Sequence, residues 1–212
     1  MIEFGQYTYI GEAWVAVIKK IMQLGREVKE GSECYKELKG VIFCISCVEN
    51  HENTDMILNK YGDSQIIQWM KDNFELVQSV KELHNANSYA ARLYNYGGSK
   101  NQIQWIIDKI NNKKNVRSAT ITTFEPLTDV GYIPCISLLD FDNNDDILDV
   151  YVYARALDFG GKAYANMLCI RDLLEKVASN TNCSMGNIHF ICKSVHVYDY
   201  DYDKINRILE VN

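Results

Sequence analysis

Residues 132–156 read YIPCISLLDFDNNDDILDVYVYARA, with two largely apolar stretches on either side of a turn rich in Asp and Asn. This pattern predicts an antiparallel hairpin whose strands occupy 132–140 and 147–156. In the second strand the even positions are apolar, whereas the odd positions from 149 onwards carry polar or aromatic side chains, the last of which is Arg155. Because side chains alternate between the two faces of a strand, Arg155 is expected to face a cavity or an interface.

The same hairpin predicts a cysteine beside that arginine. If the turn centres near residue 145, Cys135 lies opposite or diagonal to Arg155 across the two strands. A guanidinium at this distance favours the thiolate over the thiol, and the thiolate is the nucleophile. A single cysteine is more often a small buried hydrophobe. The neighbouring arginine is therefore what makes Cys135 a candidate nucleophile.

The rest of the chain is predicted to alternate less regularly between helices and strands. Periodicity predicts helices at 11–24, 64–82, 100–112 and 161–180, and further strands at 38–48, 117–124 and 187–198. Helices mixed with consecutive hairpin-like strands indicate an α+β fold, a mixed β-sheet covered by helices, rather than a doubly wound sheet. The chain has 212 residues, only two prolines and no linker, so residues 1–212 are predicted to form a single domain.

Composition narrows the classes of partner. The net charge of -6 gives no general attraction to nucleic acid polymers or to anionic membranes. No apolar stretch approaches the roughly 18 residues of a membrane span. Seven cysteines without framework spacing are typical of reduced thiols in a cytoplasmic protein. The lone CxxC at 44–47 lies inside a predicted strand with opposed side chains, so no metal site is predicted.

The final predicted strand carries a second candidate site. Ser194, His196 and Tyr198 alternate along it, so their polar groups share one face. Such a row could hold a sugar hydroxyl. The alternative is a polar, half-exposed sheet edge with no ligand.

Several motifs taken together resemble the thymidylate synthase family, which includes the pyrimidine nucleotide hydroxymethylases. PC at 134–135, RALDFGGKAYAN at 155–166 and HVY at 196–198 match the family in order and spacing. VRSATITTFEP at 116–126 is similar to the family's arginine-bearing strand, and SYAAR at 88–92 to its tyrosine-glycine turn. The chain length is closest to the short archaeal-type branch, and the first 85 residues are only loosely similar.

The resemblance implies a one-carbon transferase of EC class 2.1, a methyltransferase acting on dUMP. The thiolate of Cys135 would add to C6 of the pyrimidine, and C5 would then accept a one-carbon unit. The implied cofactor is 5,10-methylenetetrahydrofolate or a related methylene-pterin. Tyr89 matches a catalytic tyrosine in the network that removes the C5 proton.

The resemblance also implies how the nucleotide phosphate is bound. Arg155 would hold the phosphate beside the thiol, which gives it both a catalytic and a binding role. Arg117 matches an arginine that reaches the phosphate of the partner subunit, so a homodimer is implied. Arg26 is a further candidate phosphate ligand, although its loop differs from the family's usual glycine-threonine-rich version.

The other ligand groups implied by the resemblance lie downstream. Asn166 matches the residue that binds the pyrimidine edge, where asparagine rather than aspartate is uracil-like. His196 and Tyr198 match the pair that binds the ribose hydroxyl. Asp158 matches the residue that contacts the pterin of the cofactor.

The sequence departs from the bacterial family pattern near the nucleophile. Ile136 stands in place of a histidine, Ala156 in place of a serine, and Ser118 in place of a second arginine. Candidates for the family's catalytic glutamate are Glu49, Glu52, Asp72 and Glu75. Two alternatives stay open: a hydroxymethylase acting on dUMP, dCMP or CMP, and a nucleotide-binding homologue without turnover.

Overall fold

The computed structural model describes residues 2–46 and 55–211, and a mixed β-sheet runs through them. Its longest strands are β3 (Glu33–Ser46) and β10 (Ser184–Tyr198). The remaining strands are β1 (Ile2–Tyr7), β2 (Arg26–Glu30), β6 (Ala119–Thr122), β7 (Ile136–Asn144), β8 (Ile147–Ala154) and β9 (Leu157–Asp158). A separate small sheet pairs β4 (Ser79–Val80) with β5 (Ala86–Asn87).

The strand order in the main sheet is β1-β3-β10-β8-β7-β6, with β2 added to β3 and β9 added to β10. β3 and β10 are antiparallel, as are β7 and β8, whereas β1 pairs with β3, and β8 with β10, in parallel. The prediction of an α+β fold with a mixed sheet in a single domain is therefore confirmed.

Helices cover one face of this sheet. The helices are α1 (Ile10–Leu24), α2 (Met56–Tyr61), α3 (Ser64–Glu75), α4 (Tyr89–Tyr94), α5 (Gln102–Asn112), α6 (Ala163–Ser179) and α7 (Tyr202–Leu209). The indole Nε1 of Trp14 on α1 donates a hydrogen bond to the carbonyl oxygen of Phe159 at 2.8 Å. Beneath α1 and α6, the fully buried rings of Phe43 and Phe190 stack with centroids 4.8 Å apart. No described helix is both long enough and apolar enough to cross a membrane.

The predicted hairpin forms, with β7 and β8 joined at Asp145 and Asp146. Both turn residues have positive φ (52° and 62°), a conformation that Asp tolerates better than most residues and that tight hairpins require. The strand expected from 132 begins instead at Ile136, so Cys135 lies in the loop just before β7. The proline at 134 explains this late start, because it has no N–H to donate to a strand pair.

The two central strands, β3 and β10, each bury one face along part of their length and the other face beyond it, and the change occurs at paired positions. On β10, Cys192 and Val195 are both buried, although odd and even positions of a strand face opposite sides. On β3, Val41 and Leu38 show the same shift across Gly40, whose φ of 66° suits glycine. The polar residues beyond this change therefore turn away from the core, and the candidate site lies there.

The segment between α3 and α4 differs from the prediction. α3 ends at Glu75 rather than at 82, and a 3-10 turn follows at Lys81–Leu83. The hydroxyl of Ser88 donates to the carbonyl of Leu76 and accepts from the backbone N–H of Gln78, which fixes the chain in a non-helical path. The last two residues of the strand predicted at 38–48 lie outside the described residues.

Candidate active site

A cavity of about 370 Å³ lies where the strands change their buried face. Its wall brings together most of the residues singled out from the sequence: Tyr89, Cys135, Arg155, Asp158, Asn166, His196 and Tyr198. These residues come from α4, the loop before β7, the segment after β8, β9, α6 and β10. The cavity size is within the usual range for small-molecule sites.

Arg155 fixes the loop that carries Cys135. Its backbone N–H donates to the carbonyl of Cys135 at 2.9 Å, so the two residues lie opposite each other as the hairpin register predicts. Its guanidinium donates to the carbonyls of Ile133, at 2.6 Å, and Pro134. On the other side, the hydroxyl of Tyr89 accepts from the backbone N–H of Ile136 at 3.0 Å. The position of the sulfur is therefore determined from both sides.

The net effect on the Cys135 thiol differs from the sequence expectation. Burial raises the pKa of this thiol above its usual value, and it outweighs the lowering by Arg155 and Lys162. Asp158 adds to the rise, and the hydroxyl of Tyr132 opposes it through a hydrogen-bonding interaction. The guanidinium of Arg155 favours the thiolate, but the thiol form is favoured overall because the sulfur is largely desolvated.

Asn166 presents an unused hydrogen-bond acceptor in the wall of the cavity. It lies on the first turn of α6, is only 3% exposed, and its Nδ2 donates to the carbonyl of Lys162 at 3.1 Å. Its Oδ1 is buried without a hydrogen-bond partner among the described residues. A buried amide oxygen without a partner is costly, which indicates a ligand that supplies a donor.

His196 and Tyr198 form a neutral polar pair on β10. Burial lowers the pKa of His196 to about 4 and raises the pKa of Tyr198 to about 12. Their rings meet edge to face with centroids 5.0 Å apart. Neither side chain is charged near neutral pH, so each can donate and accept a hydrogen bond with a hydroxyl group.

Asp158 is a carboxyl with an unusually high proton affinity. Burial raises its pKa to about 6, and the carboxylate of Asp201 adds to the rise. The backbone N–H of Gly161 donates to Asp158 Oδ1 at 3.0 Å. A Cβ at position 161 would lie 2.4 Å from Asp158 Oδ2, so glycine is needed for this close approach.

Sequence reasoning missed several residues of the cavity wall. Trp69 on α3 is partly exposed and lines the cavity. The ammonium of Lys162 lies 5.2 Å from the centre of the Trp69 ring. Tyr132 and Tyr200 also line the cavity. Tyr132 could have been predicted to line the cavity, because it lies only three residues before Cys135 in the sequence.

The structure leaves two predicted phosphate ligands outside the cavity. Arg26 donates through Nε and Nη2 to Glu37, whose other carboxylate oxygen accepts from Ser194. Arg117 is exposed just before β6. A phosphate-binding role for Arg26 would require its side chain to leave Glu37.

None of the four candidates for the family's catalytic glutamate is seen in the cavity wall of the described residues. Asp72 and Glu75 lie on α3 outside the cavity, whereas Glu49 and Glu52 lie outside the described residues. Within residues 2–46 and 55–211, Glu33 and Asp158 are the carboxylates that line the cavity. The same parts of the chain contain no group of three or more His, Cys, Asp or Glu arranged to hold a metal ion.

The comparison with known families agrees with this arrangement. Residues 44–212 match the family model described as thymidylate synthase. The chain belongs to the thymidylate synthase family. That assignment places the cavity in a family of transferases that act on pyrimidine nucleotides and use a folate-type cofactor.

Archaeal relatives cover nearly the whole chain. A Methanosarcina acetivorans protein named "Putative thymidylate synthase" is 34% identical over 205 residues, covering 95% of this chain and 92% of the relative. A Methanosarcina mazei protein of the same name is 29% identical with the same coverage. A Methanococcoides burtonii protein is 37% identical over 125 residues, 58% of each chain. Similarity to a short archaeal-type branch is therefore confirmed.

Proposed function

We propose that the protein is a thymidylate-synthase-type methyltransferase that adds a one-carbon unit to C5 of dUMP through a covalent adduct with Cys135. The observation that carries this proposal is the single cavity that Cys135 shares with the unpartnered Oδ1 of Asn166. A nucleophile alone would fit many reactions. The unpartnered Oδ1 of Asn166 can accept a hydrogen bond from an N–H group, and the edge of a pyrimidine such as uracil offers one.

The nucleotide would bind along the cavity wall by hydrogen-bond complementarity. Oδ1 of Asn166 would accept from N3–H of uracil, and its amide can donate to O4. The neutral His196 and Tyr198 would hold the sugar hydroxyl. Arg155 and Lys162 supply positive charge for the phosphate, and Arg117 of the partner subunit would supply more.

The folate-type cofactor would bind at the other end of the cavity. Asp158 can bind the amide and amino groups of a pterin edge when it is ionised, and Trp69 and Tyr200 offer flat apolar surfaces. When bound, a 5,10-methylenetetrahydrofolate-type carrier supplies a one-carbon unit at the oxidation level of formaldehyde and, in methylation, a hydride. The residues present therefore fit the group that the family uses.

The chain's own residues account for the covalent chemistry. The Cys135 thiol loses its proton, its sulfur bonds to C6, and the electron pair of the C5–C6 double bond makes C5 nucleophilic. After C5 has bonded to the one-carbon unit, the C5 proton leaves, and the bond between the one-carbon unit and its carrier would break with the electron pair leaving on the carrier nitrogen. A hydride from the carrier would complete the methyl group, and the C5–C6 double bond re-forms as the sulfur leaves C6 as a thiolate. Burial holds the pKa of Tyr89 well above its usual value, so its hydroxyl stays protonated and can relay that proton.

Product mass tests this function directly. The protein is incubated with labelled dUMP, dCMP or CMP together with 5,10-methylenetetrahydrofolate, and the nucleotides are analysed by mass spectrometry. Methylated dUMP supports the proposal, and a hydroxymethylated product assigns the protein to the hydroxymethylases. If neither product forms, and Cys135→Ser is indistinguishable from the native chain, the proposed activity is wrong.

We further propose that two copies form a homodimer through the face of the sheet opposite the helices. Tyr151, Tyr153 and Ile191 lie on this face and are 37%, 39% and 39% exposed. Ile191 pairs directly with Tyr153 across β10 and β8, so the aromatic and aliphatic surfaces are continuous. An exposed apolar sheet face of this kind is typical of an interface between subunits.

A further inference from the structure

A second asparagine lies in the wall of the cavity, and neither the family resemblance nor the proposed function assigns it a role. Asn73 is on the last turn of α3, is only 2% exposed and lines the cavity together with Tyr89. Its Oδ1 accepts a hydrogen bond from the backbone N–H of Tyr89 at 2.8 Å. Because an N–H group needs an acceptor, the amide oxygen must face α4, and the amide nitrogen is left for another partner.

The amide nitrogen of Asn73 is an unused donor that is open to the cavity. Within residues 2–46 and 55–211, its Nδ2 makes no hydrogen bond. Unlike Oδ1 of Asn166, this nitrogen is not sealed from solvent, and Asn73 lines the cavity. The wall therefore offers an unused donor on α3 and an unused acceptor on α6. Such a pair complements a ring edge that carries a carbonyl oxygen next to an N–H group, as uracil does at O4 and N3.

Tyr89 determines how far Asn73 lies from the loop that carries the nucleophile. The backbone N–H of Tyr89 contacts Asn73, whereas its hydroxyl accepts from the backbone N–H of Ile136, the residue after Cys135. The ring of Phe74 stacks on the Tyr89 ring with centroids 4.4 Å apart, which holds the tyrosine in this position. Asn73 and the loop are thus separated by the length of a tyrosine side chain. When C6 of a pyrimidine meets the sulfur, the ring itself separates O4 from the loop, so a donor at this separation suits O4.

We propose that Asn73 is a further catalytic residue, whose Nδ2 donates a hydrogen bond to O4 of the bound pyrimidine and stabilises the negative charge that develops there. This inference deepens the proposed function and rests on it. When the sulfur–C6 bond forms, the electron pair of the C5–C6 double bond is shared between C5 and O4 as an enolate. The charge leaves O4 when C5 bonds to the one-carbon unit. Donors that are fixed in advance beside such an oxygen lower the barrier to the reaction.

Replacement of Asn73 by aspartate separates this role from the anchoring of α4. Asn73→Asp keeps an oxygen that can accept from the N–H of Tyr89, but an ionised carboxylate has no N–H to donate. We expect kcat for dUMP to fall about a hundredfold, the usual effect of removing one donor to a developing oxyanion, while circular dichroism and urea unfolding show a native fold. An unchanged kcat would overturn the proposal.

Asn101 supplies a matched control. It precedes α5, its Oδ1 accepts from the backbone N–H of Gln104 at 2.9 Å, and it lies outside the cavity. Asn101→Asp makes the same chemical change at an asparagine that also accepts from the first turn of a helix, so it should leave kcat unchanged. An equal loss of kcat in both variants would show a general effect of the added charge and would refute the role of Asn73.

Nucleotide binding without the cofactor tests the contact with O4 independently of turnover. In 4-thio-dUMP a sulfur atom, which is a weak acceptor, replaces O4. Calorimetry at pH 7 should show that the native chain prefers dUMP to 4-thio-dUMP, and Asn73→Asp should reduce this preference about fivefold, the net effect of one hydrogen bond.

The outcomes of the binding experiment distinguish this inference from the proposed function. Asn73→Ala allows the same comparison if Asn73→Asp does not fold. A preference of equal size in the native chain and the variant contradicts the inference, even if the native chain methylates dUMP. If the preference falls as expected but the native chain forms no nucleotide product, the proposed function fails while the contact of Asn73 with O4 stands.

Discussion

At the level of single residues, the proposed function makes Asn166 the side chain that would distinguish one pyrimidine from another. Its amide offers both an acceptor and a donor, which complements N3–H and O4 of uracil, whereas cytosine presents N3 as an acceptor and an amino group as a donor. We therefore expect Asn166→Asp to lower kcat/KM for dUMP about a hundredfold and to shift the preference towards dCMP. Steady-state kinetics with the two nucleotides measures this change.

Truncation of the same side chain supplies the control. Asn166→Ala removes both hydrogen-bonding groups and should weaken the reaction of dUMP without favouring dCMP. If Asn166→Asp and Asn166→Ala change the two substrates in the same proportion, Asn166 does not read the base.

Asp158 illustrates a site residue that lowers stability. Its pKa in the folded protein is about 6, above the ordinary value of 3.8, so folding takes up a proton between these values. The stability associated with the protonated carboxyl is present below the ordinary pKa and is lost as the pH rises through about 6. Asp158→Asn should therefore stabilise the fold at pH 7 by roughly 1–3 kcal/mol, while lowering activity with the folate-type cofactor.

The pH dependence distinguishes this account from a simple packing effect. Urea unfolding of the native chain and of Asp158→Asn is compared at pH 7 and near the ordinary carboxyl pKa. The gain should be present at pH 7 and largely absent in acid. A gain of equal size at both pH values would mean that ionisation of Asp158 is not its cause.

At the level of elements, His189 on β10 and Asp149 on β8 form a charged pair across neighbouring strands. Nε2 of His189 lies 3.4 Å from Asp149 Oδ2, and its ring stacks on Tyr151 with centroids 4.5 Å apart. Hydrogen-bonding interactions of the imidazole with Asp149 and, to a smaller extent, with Cys44 raise the pKa of His189 to about 9. Stability from this pair is full below the ordinary histidine pKa and is lost as the pH rises through about 9.

Replacement of the imidazole should reveal that dependence. His189→Gln is expected to cost about 1 kcal/mol at pH 7 and less at pH 10, since the pair is partly exposed to solvent. Denaturant unfolding at the two pH values measures the difference. Tyr151→Leu removes the ring stack but not the ion pair, so its cost should be the same at both. A pH-independent cost of His189→Gln would show that the imidazole is not charged in the folded protein.

Elements defined by local sequence signals could be predicted, whereas those that depend on contacts between distant residues could not. The β7–β8 hairpin and the pairing of Cys135 with Arg155 were predictable because alternation and the Asp-rich turn are local signals. The early end of α3 was not, because it depends on Ser88, which lies twelve residues after Leu76. Lys162 and Trp69 were missed for a related reason, since they meet only when α3 packs against α6.

At the scale of the whole molecule, the proposed homodimer predicts sites shared between subunits. If Arg117 binds the phosphate in the partner's cavity, Cys135→Ser and Arg117→Ala chains should complement each other. A mixed dimer then has one cavity with native Cys135 and a native Arg117 from the other chain. Random mixing of equal amounts should restore about a quarter of native activity.

The opposite result has a clear meaning. If mixing restores no activity beyond the sum of the two separate variants, Arg117 acts within its own chain or not at all. Tyr153→Asp supplies a control, because a charge on the open sheet face should prevent dimer formation and abolish complementation. Sedimentation analysis of that variant should show a monomer, and a dimer would place the interface elsewhere.

The most direct test of the central claim is to trap the bond between Cys135 and the pyrimidine. In 5-fluoro-dUMP the C5 proton is replaced by fluorine, so the reaction should stop after the sulfur has bonded to C6 and the one-carbon unit to C5. With 5,10-methylenetetrahydrofolate, mass spectrometry should find the nucleotide and the folate attached to the peptide that contains Cys135, and nothing attached in Cys135→Ser. Turnover of dUMP by Cys135→Ser, or an adduct on a different residue, would contradict the assignment of Cys135 as the nucleophile.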